Sequence, residues 1–89
     1  MWKEIELFPK EFDFQIMECL RNLIVEDLVL LENSKSFPIK LTEKIEKNLL
    51  ELYSLAAETQ DMEYYREAMG LECRYEGTLQ YLKINGIQP

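Results

Sequence analysis

The side chains that most often do chemistry are scarce in this 89-residue chain, which contains no histidine. That removes the commonest general base, the serine and cysteine triads that depend on it, and the Glu-x-x-His di-iron motif. Two separated cysteines, Cys19 and Cys73, do not make a zinc site without histidine. Three scattered glycines cannot cradle a phosphate, and no Gly-x-x-x-x-Gly-Lys-Ser/Thr run is present. Carboxylates remain, 17 against 10 basic side chains, and carboxylates can hold Mg²⁺.

Glu43 and Glu46, then Glu58 and Asp61, resemble the paired acidic motifs of all-α nucleotide pyrophosphohydrolases. On one helix and its end, however, the two pairs lie about 20 Å apart at 1.5 Å rise per residue. The outer face of a helix is the more natural home for these charges, so no metal, cofactor or catalytic residue is expected. The stretch from Glu63 to Leu71 resembles the second helix of a tetratricopeptide repeat, but the 34-residue period is missing and no family is assigned.

Asp27 is the most unusual acid. At about 100° per residue it falls on the same helical face as Phe12, Ile16, Leu20, Leu23 and Leu31. A buried unpaired carboxylate costs several kcal/mol, so it should have a partner: a tyrosine hydroxyl, an arginine or a lysine. On that reading Asp27→Ala strands the partner and destabilises the fold by about 1–3 kcal/mol. The alternative is a contact to a ligand or a partner inside a groove. Glu72, at the edge of a later apolar arc, poses the same choice.

Three helices are expected to position these groups. Residues 2–8 alternate loosely, Trp2, Ile5 and Leu7 against Lys3, Glu4 and Glu6, and read as a short strand or extended arm. Pro9 suits a helix start, and the first helix is expected over residues 9–33. Opposite its apolar face runs a polar stripe of Glu11, Gln15, Glu18, Asn22 and Glu26, which Val29 interrupts. Apolar residues on most sides suggest that this helix is central or covered by a second copy. The second helix, residues 42–59, takes Thr42 as N-cap and turns Ile45, Leu49, Leu52, Tyr53 and Ala56 inward. The third, residues 61–84, takes Asp61 as N-cap, with Asn85-Gly86 closing it. Gly70 and Gly77 challenge it; an alternative ends the helix at Gly70 and makes residues 78–84 a strand. The expectation is one all-α domain, an antiparallel three-helix bundle with an N-terminal extended arm, the alternative being α+β with a short C-terminal strand.

With 47% hydrophobic residues the chain has ample core material, and its aromatic content argues against disorder. The net charge of −7 repels nucleic-acid phosphates and anionic membranes, and favours a basic protein partner or simply solubility. Both cysteines sit among apolar residues, as buried free thiols do, which suggests a reducing compartment. No signal peptide is read at the charged N-terminus, and a cytoplasmic location is expected. The aromatic residues fall at the two ends, Trp2 with Phe8, Phe12 and Phe14, and Tyr64, Tyr65, Tyr75 and Tyr81. Not all fit inside so small a domain, so at least one surface cluster is expected.

Two functions compete. One is a non-enzymatic protein that occupies a partner's surface, as an inhibitor, adaptor or immunity-type antagonist, and that forms a homodimer or larger homo-oligomer. The other is a small-ligand-binding protein with a pocket between helices or at a dimer seam, to which Asp27, Glu72 and the tyrosines contribute.

Overall fold

The computed structural model describes the backbone of residues 2–85 and the side chains of residues 12–85. Three helices account for nearly all of it: α1 (Trp2–Glu32), α2 (Ile39–Thr59) and α3 (Met62–Ile84). No strand occurs among the described residues. All three helices pack on one another, and α2 runs antiparallel to the other two.

Each helix turns one heptad row inward. In α1 the row is Met17, Leu20, Ile24, Leu28 and Leu31; in α2 it is Ile45, Leu49, Leu52 and Ala56; in α3 it is Tyr64, Ala68, Tyr75 and Leu82. Spacings of three and four keep each row facing its neighbours, as in helix bundles with knobs-into-holes packing. The polar intruders Thr42 and Thr78 satisfy themselves: their hydroxyls donate to the carbonyls of Ile39 and Arg74.

The helix ends show why the chain breaks where it does. After α1, Asn33 and Ser34 donate side-chain hydrogen bonds to the carbonyls of Val29 and Leu30 and so close its last turn. The α2–α3 link is two residues long. Gln60 adopts the left-handed conformation (φ 58°), its N–H reaching Ala57 while that of Asp61 reaches Ala56. This is a Schellman closure made without the usual glycine. Asp61 then caps α3 at once, accepting from the N–H of Tyr64 at 3.1 Å.

Several expectations are corrected. Residues 2–8 are not an extended arm but the first turns of α1, continuous with the rest. At 31 residues against 21, α1 is about 15 Å longer than α2. Helix α2 begins at Ile39, not Thr42: Pro38 occupies the N-cap position with no side-chain cap, and Thr42 lies in the first turn. Proline at the N-cap leaves no N–H of its own unpaired, and its carbonyl accepts from the Thr42 N–H at 3.0 Å, so the helix starts earlier. Helix α3 runs unbroken through Gly70 and Gly77, because the apolar row on its opposite side holds it to α1 and α2; the C-terminal strand is not formed. Asn85 ends α3 at φ −84°, and Gly86 lies outside the described residues.

Candidate functional site

Helix α1 carries two apolar rows, and the bundle buries the less obvious one. Phe12 and Leu23, expected on the inner face, are exposed, Phe12 by 63%. With half-buried Ile16, Cys19 and 59%-exposed Leu30 they form a second row, about 100° around the helix from the core row. Cys19 and Cys73 are both exposed, not buried as expected, because each lies on a row outside the core. Val29 is also exposed, but about 100° from Leu30 and so apart from this second row.

Asp27 lies at the border between the two rows. Its side chain is only 6% exposed, and the Lys44 ammonium from α2 stands 3.5 Å from Oδ2, itself 56% exposed. The lysine stem covers apolar surface while its head stays wet. The contact has ion-pair distance without hydrogen-bond geometry, so Oδ2 is buried with no donor. Lys44 is therefore the partner the sequence called for, but a loosely held one.

Two ion pairs close the α1–α3 seam. Arg74 grips Glu32 with two hydrogen bonds of 2.8 and 2.7 Å, and that guanidinium holds the Glu32 carboxyl below the ordinary range. Arg21 donates to Glu67 at 3.2 Å.

The α2–α3 face is built differently. Tyr53 donates its hydroxyl to Glu72 at 2.8 Å, and Tyr75 donates to Glu46. Burial first, and then the adjoining carboxylates, push both phenols well above their usual range. Both phenols are thereby held protonated as hydrogen-bond donors to these carboxylates. Above them runs a groove of about 340 Å³, its apolar wall formed by Leu49, Leu50 and Leu79 and its charges by Glu46, Glu72 and Glu76. On the other side of Leu50 a second groove of about 360 Å³ lies between α1 and α2, with Ile16, Leu20 and Leu55 as its wall and Glu51 and Glu58 as its charges.

The tyrosines do not gather into one surface. Tyr64 and Tyr75 are buried, Tyr65 is half-buried edge-on to Tyr53, and Tyr81 stands exposed. Tyr64 receives the edge of Phe14 at 5.5 Å, and burial raises its phenol. Among the candidate residues with described side chains, Glu72 and Tyr75 line the first groove and none lines the second. The side chain of Trp2 lies outside the described residues. Leu50, Glu46 and Tyr53 were missed as groove residues; a leucine on the outer side of the otherwise polar α2 was the signal available. Among the described residues no three acidic or thiol side chains gather to hold a metal ion, and no helix is long and apolar enough to cross a membrane.

The fold and these surfaces define an all-α three-helix bundle. No protein-family model, curated protein or solved structure matches the chain.

Proposed function

We propose that this is a non-enzymatic interaction protein, which acts by occupying the surface of a protein partner and associates with itself. The observation that supports it most is the second apolar row of α1. Phe12, Leu23 and Leu30 repeat at helical spacing on a surface the fold leaves open. Isolated exposed apolar side chains need no explanation, but a contiguous row of them marks a contact surface. The same reading puts the protein in a reducing, cytoplasmic setting, where the exposed thiols of Cys19 and Cys73 stay free.

Affinity capture from the native host, analysed by mass spectrometry, tests the reading. A stoichiometric protein partner is expected; a co-purifying small molecule without one would favour the ligand-binding alternative and overturn it. Self-association has its own measurement. Sedimentation equilibrium at micromolar concentration should give a mass above 10.6 kDa, and Leu23→Glu should lower it, since that side chain lies at the centre of the row. A single 10.6 kDa species refutes self-association.

A further inference from the structure

We infer that the outer ridge of α2, centred on Leu50, is a docking site for a basic amphipathic helix of another protein. The inference rests on the interaction reading above and specifies one surface for it. Leu50 is 68% exposed and stands between the two grooves, contributing to both. Each groove has room for one or two apolar side chains, and the pair runs along α2 for more than three turns, from Glu46 to Glu58. A helix laid along this ridge presents apolar residues at i, i+3, i+4 and i+7, the spacing needed to enter both grooves around Leu50.

Charge decides the occupant. Every charged residue lining the two grooves is a carboxylate: Glu46, Glu72 and Glu76 on one side, Glu51 and Glu58 on the other. Lys47, one turn before Leu50, lines neither. The cations that the bundle does engage, Arg21, Lys44 and Arg74, face acids in the helix seams. A second copy of this chain would bring its own carboxylates against these, and a nucleic acid its phosphates. Lysine or arginine flanking an apolar stripe meets the rim with opposite charge, which speeds encounter and rejects acidic competitors.

The probe is a fluorescein-labelled Leu/Lys peptide of about 18 residues in that spacing, titrated with the full-length protein by fluorescence anisotropy. A Leu/Glu peptide of the same pattern is the control. The Leu/Lys peptide should bind and the Leu/Glu peptide should not. Leu50→Glu separates docking from simple attraction, because it adds a negative charge while removing the apolar knob. Affinity should fall about tenfold in that variant. Leu50→Gln should show a similar loss, and replaces it should the glutamate variant fail to fold by circular dichroism. Glu51→Gln and Glu76→Gln, one for each groove, should each weaken binding about threefold, and more than Glu26→Gln or Glu63→Gln elsewhere.

Equal or tighter binding by the folded Leu50 variants overturns the inference, as does equal binding of the Leu/Glu peptide. A change in sedimentation mass of the free protein in Leu50→Glu overturns it in favour of a second copy. The interaction reading is distinguished by capture: no stoichiometric protein partner for wild type overturns that reading itself. If wild type and Leu50→Glu capture the same stoichiometric partner, the ridge is not the site although the reading stands.

Discussion

Replacing Asp27 should stabilise the protein, the reverse of what its sequence position suggests. The reversal comes from Lys44. A carboxylate 6% exposed has given up most of its hydration, at a cost of several kcal/mol. The return is one contact at 3.5 Å to an ammonium that is 56% exposed. At an effective dielectric of about 20 that attraction is about 5 kcal/mol, and in water about 1 kcal/mol. Half-immersed Lys44 lies between these limits, and Oδ2 gains no hydrogen bond in addition. Removing the acid frees Lys44 into water rather than stranding it. Asp27→Leu should therefore raise stability by about 1–3 kcal/mol. Asp27→Asn, which cannot overpack the site, should shift in the same direction by less. Lys44→Met should cost about 1–3 kcal/mol, because it leaves the buried carboxylate without compensation. In the Asp27→Leu background the same lysine change should be nearly neutral, so the double-mutant cycle shows coupling. Urea unfolding followed by circular dichroism supplies the midpoints of wild type and of all these variants. Lower midpoints for both Asp27→Leu and Asp27→Asn would refute the reasoning, as would an equal loss from Lys44→Met in either background.

Other substitutions test the backbone and the titrating groups. Gly70 and Gly77 have open space where a Cβ would be, so Gly70→Ala and Gly77→Ala should each stabilise α3 by about 0.5–1 kcal/mol in urea unfolding. Gln60 holds a left-handed φ of 58°, and Gln60→Gly should raise the thermal midpoint, relieving about 1 kcal/mol of strain. Tyr53 and Tyr75 have phenols raised above the ordinary value of 10.0. A raised folded-state pKa contributes stability below the unfolded value and loses it as pH climbs past 10. The phenolate absorbance that Tyr53→Phe and Tyr75→Phe remove from the wild-type titration should therefore appear together with alkaline unfolding, and an earlier separate rise in those difference curves would refute the burial argument. Glu32 is lowered from 4.5 by Arg74, so its contribution is present above that value and lost as pH falls. Glu32→Gln should accordingly lower the urea midpoint at neutral pH and lose that effect well below 4.5.

Legibility in the sequence followed how local each feature is. Asp61 was readable as a cap because its hydrogen bond to Tyr64 spans three residues. Helix α2 was readable because Ile45, Leu49, Leu52 and Ala56 are its one consistent row and its other faces are mostly polar. Helix α1 was read only in part, Leu20 and Leu31 lying in the core as expected but Phe12 and Leu23 outside it, because two apolar rows compete. Its own periodicity favours the side with Phe12 and Leu23, and only the placement of α2 and α3 selects Met17, Ile24 and Leu28. The pairs that shape the surface, Tyr53 with Glu72 and Arg74 with Glu32, join residues 19 and 42 positions apart. They depend on the register between helices, and nothing within either helix states it.

The acidity of the chain gains meaning from where the structure puts it. Carboxylates needed only for solubility would sit on the polar outer faces, away from apolar surface. Instead exposed Glu46 and Glu72 accept from tyrosine hydroxyls at the edge of an apolar groove, where burial first, and then these carboxylates, raise the phenols beside them. Glutamine at either position would accept the same hydrogen bond without the charge. Under the proposed reading the negative charges beside Leu50 serve selectivity, a role that like-charge exclusion commonly plays at binding surfaces. The second row of α1 has the same character: Phe12, Leu23 and Leu30 add nothing to the packed core, and their exposure invites association. Under the proposed reading the two surfaces take different partners. The grooves beside Leu50 select a basic helix, while the row on α1 carries apolar side chains that a second copy can match.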